Sequence, residues 1–130
     1  MIFVDTNVFM YAVGREHPLR ERARRFFLRL VEHKEPSATS AEVMQELVHA
    51  YLPAGRLETL DAALLLVESS VVEIWPIEAE DVRTARLLIA RYPELGSRDL
   101  IHLACCRRRN ATSIQTFDRA LAKAFAEERR

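Results

Sequence analysis

Most of the features that would point to a special environment are scarce in this sequence. Of 130 residues, three are glycine, five proline and two cysteine. Cys105 and Cys106 are adjacent, so they cannot staple distant segments, and the chain reads as a reduced, cytoplasmic protein. Gly14, Gly55 and Gly96 are far apart, which excludes a glycine-rich phosphate loop. No apolar run approaches the roughly 20 residues of a membrane span. The segment Met1-Ile2-Phe3-Val4-Asp5 reaches a carboxylate too early for a secretory signal. Neither charge is in excess: 19 Lys+Arg stand against 19 Asp+Glu. A polycationic coat for nucleic acid is thereby excluded, and any nucleic-acid contact must be local. Hydrophobic residues make up 49% and charged residues 29%, the balance of one globular domain over residues 1–130.

Periodicity then gives the order of elements. Ile2-Phe3-Val4 is a short buried strand that stops at the polar Asp5-Thr6-Asn7. Residues 18–34 read as a helix opening at Pro18, with Leu19, Ala23, Phe26, Phe27, Leu30 and Val31 as its apolar stripe. Pro36-Ser37-Ala38 leaves room for a very short strand before a helix from Thr39 to about Leu52. A helix over 57–69, a strand over 71–75, helices over 79–92 and 97–109, a strand over 113–116 and a helix from Asp118 follow. Strands alternating with one or two helices predict an α/β fold with a mostly parallel sheet between helical layers.

Three of the five aspartates sit at the edges of apolar segments. Asp5 closes the first strand, Asp99 opens the buried-looking helix Ser97–Arg109, and Asp118 follows the last strand. Ligands of α/β sheets bind at the carboxyl ends of strands, although a cap or turn carboxylate would use the same positions. Asp61 and Asp81 lie in opening turns of helices, where the helix dipole alone accounts for them. Ser97 is the expected cap of its helix, which leaves Asp99 without that task. Thr39-Ser40-Ala41-Glu42 matches a capping box, with Glu42 reaching back to Thr39. At 100° per residue Glu46 falls beside Val43 and Ala50 on the flank of the apolar face, while Glu42 points away. Two carboxylates about 4 Å apart repel by roughly 4 kcal/mol at an effective dielectric near 20, so a convergent set must take up protons or hold a cation. All-oxygen ligation suits Mg²⁺ or Mn²⁺.

The stretches Met1-Ile-Phe-Val-Asp5-Thr6-Asn7, Ser40-Ala-Glu-Val-Met-Gln-Glu46-Leu47, Ser97-Arg-Asp99-Leu-Ile-His102-Leu-Ala104 and Thr116-Phe-Asp118 resemble the successive acidic motifs of PIN-domain ribonucleases, and the compact length resembles the VapC toxins of toxin–antitoxin pairs. The four motifs run from Asp5 to Asp118, in the family's order. The resemblance implies a Rossmann-like α/β/α sandwich, metal-dependent endonucleolytic cleavage of RNA, a homodimer and a cognate antitoxin that inhibits the site. It implies Asp5, Glu46, Asp99 and Asp118 as the acidic, metal-binding quartet, with the hydroxyls of Thr6 and Thr116 beside it. Arg98-Asp99-Leu100 departs locally, since many members carry a small residue after the aspartate.

Other features read more plainly. Arginine outnumbers lysine 17 to 2, with clusters at Arg20, Arg22, Arg24, Arg25 and Arg107, Arg108, Arg109 that read as solvated helix faces. His102, Cys105 and Cys106 lack the second pair a structural zinc site needs, and read as core packing. His49 reads as a surface residue, and Trp75 as packing at a strand end. A phosphorelay receiver would need an aspartate ending a middle strand and a late lysine. Here the strand ends Ile74-Trp75-Pro76, and the lysines are Lys34 and Lys123. An aspartate-nucleophile phosphatase would want a second aspartate at position 7, where Asn7 stands. A PIN fold that only binds RNA or a partner protein is the remaining alternative.

Overall fold

The computed structural model describes residues 1–130. Four short strands, β1 (Ile2–Val4), β2 (Ser37–Ser40), β3 (Glu73–Trp75) and β4 (Ser113–Gln115), pair in parallel in the order β3-β2-β1-β4. Seven helices connect and close them: α1 (Thr6–Val13), α2 (Arg20–Glu32), α3 (Ala41–Tyr51), α4 (Leu57–Ser70), α5 (Ala79–Leu88), α6 (Ser97–Arg108) and α7 (Arg119–Glu128). Helices α1 to α4 pack among themselves, as do α5 to α7, and α3 also meets α6. The result is the expected three-layer α/β fold.

The chain steps outward from β1 to β2 and β3, then returns to add β4 on the other side of β1. Strand order therefore reverses at β1, and the carboxyl ends of β1 and β4 flank the reversal, where such sheets bind ligands. Phe3 and Val4 are fully buried, and Phe3 stacks on Trp75 with centroids 5.9 Å apart. All four residues of β2 are buried although three carry hydroxyls. Each hydroxyl has a partner: Ser37 donates to the Ser70 carbonyl, Thr39 donates to the Val4 carbonyl at 2.7 Å, and Ser40 accepts from the Val43 amide. Buried hydroxyls so satisfied are tolerated in a core.

Several boundaries move from the sequence reading. Thr39 is the penultimate strand residue rather than a helix cap, because its hydroxyl is committed to Val4 across the sheet. Ser40 caps α3 instead, which places Glu42 out of capping-box register. Helix α2 begins at Arg20, not Pro18, because His17 and Leu19 form a turn through the His17 Nδ1 and carbonyl acceptors. Val31 and Leu57 stand out to solvent, at 71% and 53% exposure, off their predicted stripes. Gly96, not Ser97, occupies the cap position of α6, and no side chain caps that end.

Asp81 does more than complement a helix dipole. It is buried, accepts from the Glu78 amide and takes both Arg108 Nε (2.7 Å) and Nη2 (3.0 Å). Arg108 also donates to the Pro76 carbonyl, so this fork ties α6 to the start of α5. Burial raises the Asp81 pKa, but the Arg108 and Glu78 bonds prevail and hold it below the usual carboxylate value. The stabilisation is therefore complete above about pH 4 and is lost as pH falls through the lowered folded value. Asp81→Asn is expected to cost on the order of 3 kcal/mol at pH 7 by leaving Arg108 half-paired. In urea unfolding, the gap to wild type should narrow as pH drops below 4; a constant gap would refute the charge argument.

Candidate active site

The candidate site grows from the carboxyl end of β1. Asp5 follows the strand directly, and its amide donates to the Gln115 carbonyl of β4 at 3.0 Å. Its extended backbone lets it cap α1, with Oδ1 accepting the Thr6 amide at 2.7 Å. Oδ2 accepts the Thr116 hydroxyl at 2.7 Å. Only 4% of Asp5 is exposed. The cap reading and the site reading of Asp5 are thus compatible: one oxygen starts the helix and the other faces the β4 end.

Glu46 arrives from α3 on the flank beside Val43. Its Oε2 accepts the Thr6 hydroxyl at 2.9 Å, and its Oε1 lies 2.6 Å from His102 Nε2. His102 Nε2 is also 3.5 Å from Asp5 Oδ1. Close as they are, the imidazole and Glu46 are not aligned as a hydrogen bond. Glu46 Oε1 and both ring nitrogens remain buried without a hydrogen-bond partner. Sequence reasoning placed His102 in the core, which is correct for its burial but missed these charge contacts. The available signal was the spacing Asp99-x-x-His102, one helical turn, which puts both side chains on the same face of α6. Cys105 and Cys106 are buried free thiols, and burial pushes the Cys105 thiol up to about 11.

Asp99 sits in the first turn of α6, half-buried, and with Glu46, Gly96, Ser97 and Arg98 it lines a polar cleft of about 420 Å³. Asp118 caps α7, its Oδ1 accepting the Ala120 and Leu121 amides at 2.9 and 3.1 Å. The Asp118 amide donates to Thr116 Oγ1, so the loop after β4 is fastened to the hydroxyl that holds Asp5. The structure joins Asp5, Thr6, Glu46, Thr116 and His102 by direct contact. Asp99 and Asp118 border them, close enough to raise the Asp99 pKa. Glu42 makes no polar side-chain contact, and His49 is exposed.

The electrostatics describe a crowded negative corner. Burial and then the Asp5 charge push Asp99 up to about 6. Burial likewise raises Asp5, against the pull of His102 and Thr116. Burial would raise Glu46 too, but His102 and Thr6 outweigh it and its pKa is lowered. Burial works against a charged His102, yet Glu46 and Asp5 prevail and raise its pKa. No three His, Cys, Asp or Glu side chains are arranged as a ready coordination set. The donor chemistry nevertheless fits a hard divalent ion: four carboxylates, two hydroxyls, surplus negative charge and a buried Glu46 oxygen without a hydrogen-bond partner.

The PIN domain family model matches residues 2–126. The chain belongs to the PIN domain family. Within it, the chain is 62% identical to Ribonuclease VapC23 of Mycobacterium tuberculosis over 125 residues, 96% of this chain and 98% of that protein. It is 38% identical to Ribonuclease VapC13 of the same organism over 119 residues, covering 92% and 91% of the two chains. Two solved structures share the PIN fold at 22% identity. M. tuberculosis VapC20, a sarcin-ricin loop cleaving toxin, superposes with a TM-score of 0.78 over 95% of both chains. VapBC2 from Rickettsia felis bound to promoter DNA superposes with 0.69, over 91% of this chain and 89% of that one. No helix is long and apolar enough to cross a membrane.

The raised Asp99 pKa has a definite sign. Between about 4 and 6 the folded PIN domain holds a proton that the unfolded chain releases, so this group's contribution to stability falls as pH rises through that window. Thermal melts in EDTA should therefore show Asp99→Asn gaining on wild type from pH 4 to 6 and levelling above. A variant less stable by the same amount at every pH would make Asp99 a helix-start residue and nothing more.

Proposed function

We propose that this PIN-family chain is a divalent-metal-dependent endoribonuclease, the toxin of a VapBC-type pair, whose ion is Mg²⁺ or Mn²⁺ held by Asp5, Glu46, Asp99 and Asp118. The observation that carries the reading is the meeting of Asp5, Glu46 and His102, with Asp99 beside them, at the sheet's switch point in a chain 62% identical to a ribonuclease. When bound, such an ion supplies an activated water and neutralises charge building on the phosphate. The protein's own groups do the rest by position. Thr116 and the α1 terminus hold the Asp5 carboxylate in a fixed direction. Thr6 against Oε2 and His102 against Oε1 fix the Glu46 carboxylate beside Asp5, where it would bind the ion or orient the attacking water. His102 balances the clustered charge from the core side. The reading carries with it an RNA substrate, a cognate antitoxin that blocks this corner, a homodimer and a cytoplasmic location.

Asp5→Asn keeps the shape and the helix cap but removes a formal charge, and should slow RNA cleavage by at least about 100-fold in a folded protein. Glu46→Gln should do the same, whereas Glu42→Gln should leave the rate unchanged and cost no more than about 0.5 kcal/mol of stability. Mn²⁺ at a hundred-fold excess over Kd should stabilise wild type by about 2.7 kcal/mol relative to EDTA, and the Asp5 variant by much less. Undiminished cleavage by folded Asp5→Asn would refute the assignment.

A further inference from the structure

Beside the acidic corner lies a second concavity of about 450 Å³, between α1, the turn after it and the end of α3. Asn7, Tyr11, Arg15, His17, Tyr51 and Arg56 are among the residues that line it. Asn7 links it to the acidic corner by hydrogen bonds. The Asn7 amide donates to Thr116 Oγ1 at 3.3 Å and accepts the Phe117 amide, and Thr116 in turn donates to Asp5. Two hydrogen bonds thus separate this cavity from the carboxylate at the centre of the site.

Its lining combines aromatic rings with two arginines, of which Arg56 also donates to the Thr59 hydroxyl at 3.4 Å. His17 lies against Tyr11 with centroids 4.7 Å apart, and Phe117 meets the same Tyr11 ring edge-on at 5.5 Å. His17 is held in place because its Nδ1 accepts the Leu19 amide, although the residue itself is exposed. The Arg56 guanidinium sits over the Tyr51 ring at 5.5 Å, and the Tyr51 hydroxyl makes no hydrogen bond. Neither Arg15 nor Arg56 is in an ion pair, in contrast to Arg108. An exposed His17 ring, backed by Tyr11 and flanked by arginines that no carboxylate neutralises, matches how single-stranded nucleic acid is gripped: bases stack on rings and guanidinium groups take phosphates. The exposed Glu16 at the rim adds an acceptor for a base amino group.

We propose that this cavity is a nucleotide subsite, in which one unpaired base of the RNA strand stacks against His17 and Tyr11 while Arg15 and Arg56 take the flanking phosphates. It rests on the ribonuclease reading above and assigns that reaction a substrate-gripping element outside the carboxylate cluster. Its occupant is a single-stranded segment, because a paired base cannot leave its stack to enter the cavity without an unpairing cost.

The test measures binding and turnover separately. Short labelled oligoribonucleotides of A, C, G or U are titrated by fluorescence anisotropy against the Asp5→Asn chain, with and without His17→Ala, His17→Phe or Arg56→Gln. The same cavity substitutions are assayed for cleavage in the wild-type background with Mn²⁺. His17→Ala and Arg56→Gln should each weaken binding and raise KM about ten-fold, with kcat within about two-fold. His17→Phe should restore affinity by stacking alone, and Arg56→Gln should lower the salt slope by about 0.7. An abasic substitution at the gripped nucleotide should erase the difference between His17→Ala and its parent. Unchanged affinity and KM in both variants would overturn the subsite. Unchanged RNA affinity with lost inhibition by the antitoxin would assign the cavity to a protein partner, and would overturn it equally. Failure of the ribonuclease reading shows elsewhere, as undiminished cleavage by Asp5→Asn, and the binding arm still decides the cavity.

Discussion

The accumulation of negative charge at one end of the parallel sheet is the constraint on which the rest of this structure depends. Asp5, Glu46, Asp99 and Asp118 reach that end from four separate segments, and all four are at least partly shielded from water. Such a cluster is unfavourable unless each charge has a counterpart. The structure supplies counterparts of three kinds. Helix-start amides take oxygens of Asp5 and Asp118; the hydroxyls of Thr6 and Thr116 take oxygens of Glu46 and Asp5; and the buried imidazole of His102 faces two carboxylates at once. Asp99, which has none of these, is the carboxyl whose pKa climbs to about 6. The cost of this charge is the natural driving force for drawing in a divalent cation.

The fold is organised so that this concentration of charge is local. The sheet is fed by strands of only three or four residues, and their apolar side chains close the core directly beneath the site. Phe3 stacks on Trp75 and also lies 5.4 Å from the His102 ring, so the imidazole is packed against the same aromatic that anchors β1. Burying β2 with three hydroxyl residues works because each hydroxyl closes a bond that the short strands leave open. The arginines that the sequence groups into runs are divided among separate tasks. Arg24 donates to the end of α1, Arg108 locks α5 to α6, and Arg22 covers Phe117.

Much of the architecture is legible in the sequence because the apolar patterns are clean. Ile2-Phe3-Val4 and the 3.6-residue stripes of α2, α3 and α4 have one sensible reading, and alternation of strands with helix pairs implies parallel pairing. The flank position of Glu46 follows from helical geometry alone, and the structure sets it against Thr6 and His102. What is not legible is how one polar group serves two elements. Thr39 looks like a helix cap until the Val4 carbonyl, 35 residues earlier, claims its hydroxyl. Asp81 looks like a dipole partner until Arg108 folds over it from the next helix. His102, surrounded by apolar residues in sequence, is indistinguishable from a core histidine until β1 and α3 bring carboxylates to it. Each miss is a long-range hydrogen bond or ion pair, which no local periodicity encodes.

The clamp on Arg108 has a consequence for how this chain tolerates change in length. Helix α6 is fastened at its far end to Asp81 and presents Asp99 at its near end, nine residues away. Nine residues of helix span about 13.5 Å with a fixed angular phase, so the helix acts as a measuring rod between the Asp81 anchor and the acidic corner. Inserting or deleting one residue between them would rotate the tip by about 100° and shift it by about 1.5 Å. A change between His102 and Arg108 would take Asp99 and His102 out of the corner together even if every side chain in the protein were kept. The length of this rod is therefore set by the acidic corner as much as by the core.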